Sequence, residues 1–245
     1  MGLLAIMLND LGYKAISLFG WQAGIQTDNN YTNSNIININ TNKIRKYLDD
    51  DYIVIVAGFQ GIDNMDNITT LGRGGSDTTA TELAVYLNAD LCEIYKDTEC
   101  IYTADPKIVP TAKKINYINY EHILELSKMG AKVLAYKSIE YAKKNNLKLV
   151  IKSVENDKIG TIITNDYKNV NDLFISCTKK KYDEENDIIS FITNENLEDI
   201  IKHILKYNQI KKYNIEASKN KVSIVLNNKI SGEILKQIHD KLVLK

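Results

Sequence analysis

Proline is almost absent from this chain. Its two prolines, Pro106 and Pro110, bracket one short loop, so glycine, asparagine and aspartate must punctuate the rest. Cysteine is equally scarce. The three thiols include Cys92 and Cys100, eight residues apart, a spacing that fits no zinc pairing. So few thiols exclude a disulfide scaffold and point to a reducing, cytoplasmic setting. Net charge is missing too: Lys+Arg and Asp+Glu both total 31. That balance excludes a nucleic-acid face and a polybasic membrane patch. The longest apolar run, Tyr52–Phe59, is far too short to cross a bilayer. Met1–Leu8 is apolar, but has neither a basic leader nor a cleavage pattern, and reads as a core helix. The three histidines, His122, His203 and His239, fall singly on predicted helices and form no metal cluster.

What is present is ordinary for a globular protein, with 44% hydrophobic and 25% charged residues in 245. That length holds one large domain or one domain with a small appendage. Strand and helix alternate through residue 163. Helices are expected at Met1–Leu11, Thr41–Leu48, Thr78–Leu87, Tyr120–Met129 and Ser138–Asn145. Strands are expected at Ala15–Phe19, Ile36–Ile39, Leu91–Tyr95, Leu147–Ser153 and Thr161–Ile163, with Ile53–Ala57 as a central strand apolar on both faces. The alternation predicts an α/β fold, a largely parallel sheet sandwiched by helices. After about residue 166 short strands at Leu173–Cys177, Ile188–Thr193 and Val222–Leu226 alternate with helices at Leu197–Tyr207 and Ser231–Leu244. The charged run Lys179–Asp187 reads as a solvated turn. This part predicts a small α+β sandwich, so the expected division is 1–165 and 166–245.

The most informative string is Thr70-Leu-Gly-Arg-Gly-Gly-Ser-Asp-Thr-Thr-Ala80. It follows a buried strand and glycine turn, Ile53–Gly61, and precedes Ala80, Leu83, Ala84 and Leu87 at helical spacing. The loop therefore opens a helix, with Ser76 or Asp77 as its cap. Free N–H groups and the helix dipole attract an anion there. Arg73 adds a planar fork for carboxylate or phosphate, and Asp77 an acceptor for an ammonium. One loop thus suits both ends of an amino acid, or a phosphate. A glycine-rich turn with an exposed arginine is the plainer alternative.

The whole string resembles the signature of aspartokinases, within the amino acid kinase family. Leu11–Gly24, Val56–Gly61, Cys92–Lys107 and Met129–Leu134 resemble further family blocks, in order, over residues 1–163. The resemblance implies transfer of the ATP γ-phosphoryl group to the side-chain carboxylate of L-aspartate, with Mg²⁺, as the first step towards lysine, threonine and methionine. It matches Arg73 to the grip on the α-carboxylate and Asp77 to the ammonium, with Gly74, Gly75 and Ser76 shaping the pocket floor. Asp97 and Tyr102 match the adenosine site, Lys96 is expected to bind ATP, and Lys107 and Lys132 match cations near the phosphates and ribose. No metal-ligating protein residue is implied. Residues 166–245 are similar to ACT units, abbreviated, which implies a feedback amino acid (lysine or threonine) and a homo-oligomer.

Departures accompany the match. Lys107 stands where the family has arginine, Cys100 where it has glycine, and Ala135-Tyr136 where many members have His-Pro. The family's opening strand with its Lys-Phe-Gly-Gly-Ser type loop, and a Gly-Glu pair before the first helix, find no match. The chain is therefore read as N-terminally truncated and expected to be a poor kinase or none. A non-catalytic regulatory or assembly partner of a full-length aspartokinase is the alternative.

Overall fold

The computed structural model describes residues 1–243 except 99, 130, 132, 156–157, 168–172, 181–182, 193–196, 208–209, 211–212, 219–220 and 227–231. The chain opens with α1 (Gly2–Asp10), β1 (Ala15–Leu18), β2 (Ile25–Thr27), β3 (Ile36–Ile39), α2 (Asn42–Asp49), β4 (Ile53–Val56), β5 (Gln60–Ile62), β6 (Ile68–Thr70) and α3 (Gly75–Leu87). Then come β7 (Leu91–Lys96), β8 (Ile101–Tyr102), β9 (Lys114–Ile115), β10 (Tyr117–Ile118), α4 (Tyr120–Lys128), α5 (Tyr136–Lys144), β11 (Lys148–Ser153) and β12 (Ile159–Ile163). The last stretch holds β13 (Phe174–Lys180), β14 (Asp183–Ile192), α6 (Glu198–Tyr207), β15 (Tyr213–Ser218), β16 (Lys221–Leu226) and α7 (Gly232–Val243). The expected α/β class is what the chain adopts.

Two compact units emerge, and neither is continuous in sequence: Met1–Cys92 with Leu134–Lys148, and Glu93–Val133 with Leu149–Lys245. In the first, β1 and β4 pair in parallel, and a second sheet has the order β3-β2-β5-β6. Leu18, Ala23, Ile25, Ile39 and Ile44 form its core, because β1, β2, β3 and α2 each turn apolar residues to one side. α5 joins this unit beside α3. The buried hydroxyls of Thr81 and Ser138 meet at 2.6 Å, so the two helices share a hydrogen bond inside their contact.

In the second unit a sheet of order β10-β12-β11-β7 is mixed, with β10–β12 parallel and β11–β12 antiparallel. The last stretch makes an antiparallel sheet of order β13-β14-β16-β15, whose central strands are joined by a buried Ser190–Ser223 hydroxyl pair at 2.9 Å. Ile189, Phe191, Ile224, Ile201, Leu205, Leu235 and Ile238 from β14, β16, α6 and α7 form one core.

Three expectations are corrected. α1 is not a core helix: Leu3 is 79% and Leu11 71% exposed, and Ala5 is its buried residue. The helix is apolar all round, so its sequence marked no inward face. β4 is not central either. Among the described residues it pairs with β1 alone, Ile53 is 42% exposed, and Val54 and Val56 line a groove of about 470 Å³ with Ile44, Leu83 and Leu87. The charged run after Lys179 is not a turn throughout. β13 reaches Lys180 and β14 starts at Asp183, so strand pairing runs into the charged stretch: backbone hydrogen bonding does not depend on side-chain charge.

Candidate active site

The glycine string forms the start of α3. Gly72 and Gly74 adopt left-handed φ values of +73° and +77°. Gly74 is itself the N-cap, and among the described residues no side chain caps the helix. The expected cap by Ser76 or Asp77 is therefore wrong. A left-handed glycine already turns the chain into the helix, which places both residues inside the first turn. A Cβ on Gly74 would collide with Ala135, so only glycine fits the approach of α5. Thr79 braces the turn: its Oγ1 donates to the Gly75 carbonyl at 2.8 Å and accepts the Phe59 N–H at 3.0 Å.

Two consequences follow for ligands. Among the described residues, the N–H groups of Ser76 and Asp77 find no acceptor, since the first helical bond runs from the Thr78 N–H to Gly74. These are the orphan donors of a helix start, aimed out of a 13-residue helix. Arg73 is exposed and makes no ion pair among the described residues. Asp77 is half-buried, and its Oδ2 accepts the Ala135 N–H at 3.2 Å. Arg73, Gly74, Gly75, Ser76 and Asp77 thus share one turn in the first unit, carrying a cation, two open donors and a carboxylate.

The residues expected at a nucleotide belong to the second unit. Lys96 ends β7 and donates its ammonium to the Val133 carbonyl, so it is tied to the backbone rather than extended into solvent. Asp97 follows it, exposed. Tyr102 is half-buried in β8, and burial, with Cys100 beside it, raises its hydroxyl above the usual tyrosine range. Lys107 is exposed in the β8–β9 loop, where its N–H donates to Asp105 Oδ1 at 2.9 Å in a tight turn. Lys132 lies outside the described residues. His203 and His239 lie on α6 and α7, and His122 on α4, where burial lowers its pKa.

Against known proteins, the model of the amino acid kinase family matches residues 1–153. The chain belongs to the amino acid kinase family. It is 49% identical over 163 residues to an aspartokinase of Geobacillus stearothermophilus and 49% over 160 residues to one of Helicobacter pylori. The first match covers 66% of this chain and 40% of the relative, so the chain spans about two fifths of the length of the relatives it matches. E. coli aspartokinase III, solved in complex with aspartate and ADP, superposes with TM-score 0.65 at 23% identity, over 98% of this chain and 56% of that one. Aspartate kinase from Synechocystis gives TM-score 0.58 at 26% identity, over 92% of this chain and 39% of that one.

One group within the family-matched residues was not foreseen. Glu82 is buried on α3, and burial pushes its carboxyl up to about 7, partly offset by Lys137. Tyr141 of α5, hydrogen-bonded to Tyr86, is pushed up to about 12 by burial, with Glu82 adding to the effect. In sequence Glu82 stands in a helix whose polar and apolar residues are mixed around its circumference, so nothing marked it as buried. The packing of α5 against α3 is what buries it.

Proposed function

We propose that this chain carries aspartate kinase chemistry: ATP and L-aspartate give ADP and aspartyl phosphate, the entry to lysine, threonine and methionine synthesis. The observation that carries this reading is the start of α3. A guanidinium, two open backbone donors and a carboxylate stand together there, inside the family-matched residues 1–153. Arg73 and the N–H groups of Ser76 and Asp77 would take the α-carboxylate. The oxygens of Asp77 would accept the ammonium. The side-chain carboxylate is then left to attack the γ-phosphorus, and little covalent help from protein is needed.

On this reading Lys96, Asp97, Tyr102, Lys107 and Lys132 serve the adenine nucleotide. Mg²⁺ would arrive as MgATP, held by phosphate oxygens, as this ion usually is in kinases. The aspartate and ADP bound by E. coli aspartokinase III support this assignment. Residues 1–165 would be the kinase part and 166–245 an ACT-like part. A lysine complex of E. coli aspartokinase III supports an amino-acid effector for the latter. A homo-oligomer and a cytoplasmic location complete the proposal.

The test is trapping of the acyl phosphate. The full chain with MgATP, L-aspartate and hydroxylamine should form, at the low rate expected of a poor kinase, a hydroxamate that requires both substrates. Arg73→Ala should lower its rate about a hundredfold, the loss of a charge-assisted pair. No hydroxamate from the wild type would contradict the kinase reading and favour a non-catalytic partner role.

A further inference from the structure

The β8–β9 loop is held from the opposite end of the chain. Its ends are closed by a reciprocal pair: the Thr103 N–H donates to the Lys113 carbonyl and the Lys113 N–H to Thr103 Oγ1, both at 2.9 Å. Its middle, Asp105–Ile108, is exposed and carries local turn bonds. Two of its residues, Ala104 and Val109, are buried in the same core as Phe191, Ile201, Leu235 and Ile238. The Ile175 N–H, at the start of β13, donates to the Thr103 carbonyl at 2.8 Å.

A hydrogen-bond chain then runs from this loop into α7. Thr103 Oγ1 lies 2.9 Å from Nε2 of His239, a side chain with no exposed surface. Because Oγ1 already accepts the Lys113 N–H, its own proton is free to point at the imidazole. The other ring nitrogen, Nδ1, lies 3.2 Å from Asp240 Oδ1. The same carboxylate oxygen accepts the Thr111 hydroxyl from the far side of the loop. Lys236, one turn back, pairs with Asp240 at 3.5 Å. His239 and Asp240 therefore grip both flanks of the loop, at Thr103 and at Thr111.

We infer that His239 and Asp240 are positioning residues for the nucleotide: they fix the loop that follows Tyr102 and carries Lys107 in the shape that receives ADP or ATP. This rests on the kinase reading above. Neither residue touches the nucleotide itself. The loop's exposed middle is held by turn bonds onto Asp105 alone, so without the grip the loop samples other shapes, and binding loses the fraction of time spent there. A helix more than 120 residues downstream thus becomes part of what a nucleotide senses.

The test titrates the full chain with MgADP and, separately, with L-aspartate, and follows amide exchange over residues 103–113. His239→Ala should weaken MgADP about tenfold, the loss expected from one or two buried hydrogen bonds, and leave L-aspartate within about twofold. Exchange across the loop should quicken. His239→Gln, whose amide takes the place of Nε2, should restore most of the affinity. Asp240→Ala, at a partly exposed position that tolerates truncation, should weaken MgADP severalfold, and decides the matter if His239→Ala does not fold. Unchanged MgADP affinity in the folded variants, or a parallel fall for both ligands, would overturn the inference and leave the kinase reading intact. No MgADP binding by the wild type would overturn both.

Discussion

Two loops invite comparison: Gly72–Asp77 at the start of α3, and Thr103–Lys113 between β8 and β9. Both present a basic residue to solvent, Arg73 in one and Lys107 in the other. The first is shaped by its own residues. Left-handed glycines set the turn, and Thr79 Oγ1 donates to the carbonyl four residues back. The second is shaped from outside, by partners 129 and 136 residues away in sequence. The lesson is one of locality. A loop whose conformation is fixed by backbone chemistry announces itself in sequence, and one fixed by tertiary contacts does not.

The comparison can be broken most severely at Gly74. Gly74→Ala forces a side chain into a left-handed turn and against Ala135, so it should cost about 3 kcal/mol in urea unfolding. In the externally held loop, Lys107→Ala should shift stability by less than about 0.5 kcal/mol, since the exposed side chain carries none of the fixation. Equal losses at the two positions would erase the distinction.

Glu82 sharpens it next, because it lies one turn beyond the first loop. Its carboxyl has an ordinary value of 4.5 and is raised to about 7 in the fold. The folded state therefore holds the proton more tightly than the unfolded chain. Its contribution is most favourable below pH 4.5, falls as pH rises towards 7, and settles at a constant penalty above that. Glu82→Gln should accordingly stabilise the protein by about 2 kcal/mol at pH 8, with the gain shrinking to nothing near pH 4. Denaturant midpoints measured across that range check the slope. A gain independent of pH would show that packing, not ionisation, is responsible.

Asp77 offers the smallest and most selective change. Asn in its place still accepts the Ala135 N–H, so stability should move by less than about 0.5 kcal/mol. Loss of the charge should nevertheless weaken L-aspartate about tenfold, and succinate, which lacks the ammonium, hardly at all. Calorimetric titration of both ligands separates the two roles.

Much of the first loop was legible in sequence. Glycines flanking Arg73, then helical spacing from Ala80, gave the turn and the helix in advance. Its cap was misread because the Ser76 and Asp77 residue types suit an N-cap, while the backbone of Gly74 did that work. The apolar β4 read as a central strand, since an all-apolar run does not reveal how many neighbours pair with it. β15 escaped notice because Tyr213–Ser218 alternates weakly and has polar neighbours. The grip of His239 was not legible at all. A lone histidine on an amphipathic helix gives no sign of the hydroxyl it will meet across the sequence.

The most direct test of the account is a calorimetric titration of L-aspartate into the full wild-type chain and into Arg73→Ala. If the start of α3 is the amino-acid site, the wild type binds and the substitution weakens binding about a hundredfold without lowering the unfolding midpoint. Equal affinity in the two proteins, or no binding to either, would contradict it.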